Sequence, residues 1–237
     1  MKWNQFALTA ILLPLCLALS AAQSQGSPIL DQSNVTNSSA LSVEIGLSAS
    51  HPNDVSLSGQ SFTVGVTGIL DHITVFIFGS VPNGTTPPTD LFEIRPTTAS
   101  GAPVDDDSKA LARLTITLPP VPFGGFGLPH PSFDIDVGSF QIPVTAGETL
   151  FFDFGAANEN LALGGFAPPN YAGGDEYFRD PVRGLDNFVK QGVSDFGFQT
   201  YVEPATVPEP SSLTLCCASA IALLAYRRWT RRVPAVA

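Results

Sequence analysis

The chain has 237 residues, with 21 Asp and Glu against 11 Lys and Arg and a net charge of −10. An acidic surface of this kind repels a phosphate backbone, which excludes nucleic acid as a partner. With 44% hydrophobic residues the chain holds ample material for a core, so a wholly disordered protein is excluded as well.

In chain order, the first element is a targeting segment. Met1–Gln5 carries one Lys, Phe6–Leu19 is an apolar run of 14 residues, and Ser20-Ala21-Ala22 supplies small residues before Gln23. This pattern predicts a secretory signal peptide over 1–22, in helical form. A lipoprotein reading would use Cys16, but the large Leu15 before it does not fit. Residues 23–40 are polar and rich in Ser and Asn, and predict a flexible lead-in.

Alternation at every second position then begins. It runs through Leu41/Val43/Ile45/Leu47, Phe62/Val64/Val66, the dense stretch Ile69–Phe78, and Phe92/Ile94. It continues through Leu114/Ile116/Leu118, Phe133/Ile135/Val137, Leu150/Phe152/Phe154 and Phe196/Phe198/Thr200/Val202. Breakers such as Pro87-Pro88, Pro119-Pro120, Gly124-Gly125 and Gly173-Gly174 separate these runs. No window of helical period lies between the two ends. The prediction is an all-β domain over 41–204, an antiparallel β-sandwich of jelly-roll kind.

Enzyme signatures are missing from the sequence. There is no G-x-S-x-G, H-E-x-x-H, C-x-x-C or Walker loop. His51, His72 and His130 are scattered, with His72 at the start of a strand. Twenty acids over residues 23–207 make any carboxylate pair uninformative about glycoside hydrolysis. Two sets of residues are candidates for binding. Asp105-Asp106-Asp107 clusters hard oxygen ligands in a loop, as a structural Ca²⁺ would need, although the spacing is not that of an EF-hand. Tyr171, Tyr177, Arg179 and Gln199 offer aromatic and planar polar groups for a sugar, the two tyrosines lying in a long Gly/Pro loop between residues 164 and 184. Asp134 and Asp136 flank Ile135, so both project from one face of a strand. No other cofactor is indicated.

The last element is again an address. Residues 211–226 form an apolar run of 16 residues, about 24 Å as a helix. Arg227, Arg228, Arg231 and Arg232 follow. A transmembrane helix is expected here, with the arginines cytoplasmic and the domain outside. Both ends removed, residues 23–207 keep six basic residues against twenty acids, a net charge of −14, with no Cys and no Trp.

Val207-Pro208-Glu209-Pro210, the apolar run and the Arg cluster together resemble the PEP-CTERM sorting signal over 205–237. The resemblance implies an exopolysaccharide-producing bacterium and processing near Pro208-Glu209-Pro210 by exosortase, a membrane transpeptidase-like enzyme. The middle of the chain resembles the β-sandwich ectodomains that accompany this signal. The residues that carry this are Gln60-Ser61-Phe62-Thr63, Gly68–Ile73, Ile142–Leu150, Tyr171–Gly174 and Asp195–Val202. The functional expectation is an exported, non-enzymatic cell-surface or matrix protein associated with exopolysaccharide or biofilm. A carbohydrate-binding module and a secreted polysaccharide hydrolase or lyase are the alternatives.

Overall fold

The computed structural model describes residues 26–35, 41–46, 57–81, 89–121, 131–156, 160–166, 171–180, 184–192 and 194–205. The expected signal segment 1–22, the apolar segment 211–226, the Pro208-Glu209-Pro210 motif and its Arg cluster lie outside them, as do His51 and His130. Among the described residues no helix is long and apolar enough to cross a membrane.

The strands are β1 (Ile29–Asn34), β2 (Leu41–Gly46), β3 (Leu57–Thr63), β4 (Gly68–Val81), β5 (Thr89–Pro96), β6 (Ala112–Thr117) and β7 (Ser132–Asp136). They continue as β8 (Pro143–Val144), β9 (Thr149–Ala156), β10 (Asn160–Phe166), β11 (Glu176–Asp180), β12 (Leu185–Lys190), β13 (Asp195–Phe196) and β14 (Phe198–Pro204). Every pairing among the described residues is antiparallel.

Two sheets result. One has eight strands along the path β1-β14-β4-β10-β13, with β7 and β8 also on β4 and β2 on β10. The other has six in the order β12-β11-β3-β9-β5-β6. The long β4 is the hub of the first sheet. Its first half pairs with β14 and with β7, and its end pairs with β10.

The sheets pack face to face because the period-two positions of both carry large apolar groups. Phe62 and Phe152 of the six-stranded sheet meet Phe198 of the other at ring-centroid distances of 6.1 and 5.4 Å. Leu70, Ile73, Val75 and Ile77 of β4 and Phe92, Ile94 and Phe154 opposite complete the centre of the core. Polar groups are also sealed between the sheets, Gln60 and Asp195 among them. Gln60 Nε2 donates to Asp195 Oδ1 at 3.3 Å, and the Phe196 amide donates to Gln60 Oε1 at 3.0 Å. Burial of Gln60 costs little because both ends of its amide are satisfied.

The antiparallel sandwich is as expected, and three local expectations are corrected. Residues 29–34 of the expected flexible lead-in 23–40 are strand β1, bonded to β14. The sequence hides this strand because its residues are mostly exposed or polar. The expected long loop 164–184 contains the end of β10 and the whole of β11. In β11, Glu176, Tyr177 and Asp180 are all buried, so no apolar/polar alternation marks it. His72 lies inside β4 rather than at a strand start.

Candidate functional site

The outer face of the six-stranded sheet carries a second, charged interior. Strand alternation puts Phe92 and Ile94 into the core, so Glu93 and Arg95 project outward, and Asp153 does the same between Phe152 and Phe154. All three charged groups are nevertheless fully buried. Residues 97–111 and β12 cover them. Arg95 Nε donates to Asp153 Oδ2 at 2.7 Å, and its Nη2 donates to Asp107 Oδ1 at 2.8 Å and to Glu93. Arg113 Nε donates to the other Glu93 oxygen. Arg179 Nη2 reaches Asp107 Oδ1 at 3.0 Å. Three guanidinium groups thus meet three carboxylates, and the assembly is neutral when all six are ionised.

Phe188 lies between the two inner arginines. The Arg95 and Arg179 guanidinium carbons sit 5.5 and 5.1 Å from its ring centroid. Phe151 packs edge-on to Phe188 at 5.0 Å and to Tyr177 at 6.0 Å. Below them Gly59 must be Gly. A Cβ there would lie 2.0 Å from the Phe152 carbonyl oxygen and 2.6 Å from the Phe151 ring.

Burial pushes the Asp153 carboxyl up to about 7, with Arg95 pulling it down and Glu93 adding to the rise. Burial also works against the Arg95 charge, but Asp153, Asp107 and Glu93 hold its pKa above the ordinary value. At Asp107 burial is outweighed by hydrogen bonds from Arg95 and Arg179, which hold the carboxyl below the ordinary range.

The three carboxylates of the calcium expectation, Asp105-Asp106-Asp107, take part in or border this arrangement. The three carboxylates diverge to protein donors. Asp105 Oδ1 accepts from the Phe188 amide at 2.7 Å. Asp106 caps the 3-10 turn 107–109 by accepting from the Ser108 amide and hydroxyl at 3.0 and 2.7 Å. Asp107 is held by the arginines. No group of three or more His, Cys, Asp or Glu among the described residues has the placement to hold a metal ion.

The four expected sugar-binding residues do not come together. Tyr177 is buried under Phe151, and Arg179 belongs to the charged interior. Tyr171 packs edge-on against Phe198 at 5.1 Å, and its hydroxyl donates to Gln32 Oε1 at 3.2 Å. Gln199 stands on β14 of the other sheet. Both rings are turned into packing contacts, Tyr177 from strand β11 against Phe151 and Tyr171 against Phe198. Near Tyr171, burial raises the Glu176 carboxyl to about 7; a hydrogen bond from Ser194 opposes the rise and the Asp195 charge adds to it.

The solvent face of the eight-stranded sheet supplies an aromatic group that periodicity does not reveal. Tyr201 pairs with His72 and Val202 with Leu70, which leaves Asp71 as the extra residue of a β-bulge. A bulge re-aims side chains. Here Asp71 Oδ2 and His72 Nδ1 meet at 2.5 Å. The His72 and Tyr201 rings stack with centroids 4.1 Å apart and planes 14° from parallel. Asp136 stands opposite His72 on β7, and Asp134 opposite Thr74, whose hydroxyl donates to it at 2.6 Å. Asp134 and Asp136 share one exposed face, as the sequence predicts.

No family model matches the chain, and no curated protein matches it. Among solved structures, it is similar to the cysteine protease and lectin-like domains of Cwp84, a surface layer associated protein of Clostridium difficile. The TM-score is 0.44 at 10% identity, covering 75% of this chain and 36% of that chain. This chain thus spans little more than a third of the other.

Proposed function

We propose that the chain is an exported, non-enzymatic cell-surface or extracellular-matrix protein, handled by an exosortase-type system and associated with exopolysaccharide or biofilm. The observation that carries the proposal is the order of Pro208-Glu209-Pro210, the apolar run 211–226 and the arginines Arg227, Arg228, Arg231 and Arg232. A membrane-directed helix stopped by arginines holds the domain outside until it is cut. An acidic, thiol-free β-sandwich of jelly-roll kind suits the cargo role. It stays soluble through its charge and needs no disulfide.

The test is expression of the full chain and of a form lacking 206–237 in a host with and without an exosortase gene. The full chain is expected to lose its Arg-containing tail peptides only when the enzyme is present, as read by mass spectrometry. The truncated form is expected in the soluble exported fraction. Intact tails in the presence of the enzyme, or a truncated form that stays membrane-bound, refute the reading.

A carbohydrate-binding role is the second reading. The observation that favours it is the Tyr201–His72 ring pair beside exposed carboxylates on one sheet face.

A further inference from the structure

We infer that the solvent face of the eight-stranded sheet binds a cationic saccharide, an amino-sugar polymer, along the row Leu30–Tyr201–His72–Asp136. The inference rests on the polysaccharide association proposed above for the ligand's being a saccharide. The surface itself is argued from geometry and charge.

The row is fixed by register. Leu30 pairs with Tyr201, Tyr201 with His72, and His72 with Asp136. Four adjacent strands at about 4.8 Å spacing make a strip on the order of 14 Å across. One end is apolar, since Leu30 is 49% exposed. The centre is the stacked ring pair, and the other end is anionic. A sugar ring has the same division, with an apolar C–H face and a polar edge. Stacked rings, one of them held by Asp71, are already ordered, so binding spends little side-chain entropy on them.

The charge argues for a cationic ligand. The strands of this sheet carry no Lys or Arg, and Asp134 and Asp136 are exposed on its solvent face. The five basic residues described, Arg95, Lys109, Arg113, Arg179 and Lys190, all lie on the other sheet or on the 97–111 segment. Asp71 is paired with the His72 imidazole, and the exposed Asp136 accepts from the Gly138 amide at 2.9 Å. Both face Gly138, where a Cβ would meet Asp71 Oδ1 at 3.2 Å and Asp136 Oδ1 at 3.4 Å. An ammonium group placed there meets carboxylates from the two neighbouring strands β4 and β7.

The experiment is calorimetric titration of the full chain in detergent with glucosamine oligomers, N-acetylglucosamine oligomers and oligolysine. Glucosamine oligomers are expected to bind in a salt-sensitive way and more tightly than the other two. Tyr201→Ala and Asp136→Asn should each weaken binding tenfold or more, with Tyr201→Phe close to the parent. Asp186→Asn, on exposed β12 of the other sheet, should bind as the parent does. Melting curves show that each variant is folded. No binding, or equal binding to Tyr201→Ala and the parent, overturns the inference. Oligolysine binding as tightly as the sugar reduces the face to plain charge and also overturns it. Failure here with correct processing of the C-terminal segment overturns this inference alone and leaves the sorting proposal standing.

Discussion

Replacing Glu176 by Gln removes one ionisable group from the inner side of β11 at nearly constant shape. The carboxyl titrates at about 7 in the fold against 4.5 when free, chiefly because it is buried. A folded pKa above the unfolded one means that the folded state holds the proton more tightly. The associated stability is fully present below pH 4.5 and is lost as pH rises to about 7. At about 1.4 kcal/mol per pH unit, the loss is about 3 kcal/mol. Gln is neutral throughout, and its carbonyl accepts from the Ser194 hydroxyl as the carboxyl does. Glu176→Gln should therefore match the parent near pH 4.5 and exceed it by about 3 kcal/mol at pH 8. For a compact unit of this size that is on the order of 10 °C in melting temperature. Thermal melts of parent and variant in buffers from pH 4.5 to 8.5 test this. Parallel pH profiles, or a variant less stable at pH 8, would refute the claim that burial of this carboxyl sets the alkaline limb.

Asp107→Asn should destabilise the protein by about 1–2 kcal/mol at neutral pH. The value is below that of a fully buried ion pair because Asp107 is half-exposed. Its carboxyl lies below the ordinary value, so its contribution is present above about pH 4 and lost as pH falls further. The acid limb of denaturant titrations should be shallower in the variant. Gly59→Ala should cost on the order of 3 kcal/mol, because the new methyl meets a backbone carbonyl that cannot retreat without breaking the β3–β9 ladder. Urea midpoints read that loss, and a variant as stable as the parent would refute the close approach.

Most strands that face the core were legible from sequence, β8 and β10 being exceptions although Val144 and Leu163 are core residues. In β9, Leu150, Phe152 and Phe154 announce their face because an apolar side chain has one favourable side of a sheet. β11 and β12 were not legible. Glu176 and Asp180 are buried where polar residues are expected outside, and β12 is an exposed edge. The binding candidates show the same limit. Tyr171 and Tyr177 sit near each other in the chain, yet their rings serve separate packing contacts. Tyr201 and His72 lie 129 positions apart in the sequence and stack.

The sequence alone determined the acidic and thiol-free middle and the all-β character. These follow from composition and from a period of two, which are properties of local stretches. Only the tertiary structure decided what the charges do. Arg95 and Glu93 read as ordinary outward residues of an alternating strand, and the fold buries both under a covering segment. Asp105, Asp106 and Asp107 read as a cation cradle, and the fold spends them on a cap, an amide and two arginines. The −14 charge of residues 23–207 is thereby divided. Every described base lies with the six-stranded sheet, and the eight-stranded sheet is left with acids and an aromatic pair, because strand pairing brings together residues that are distant along the chain.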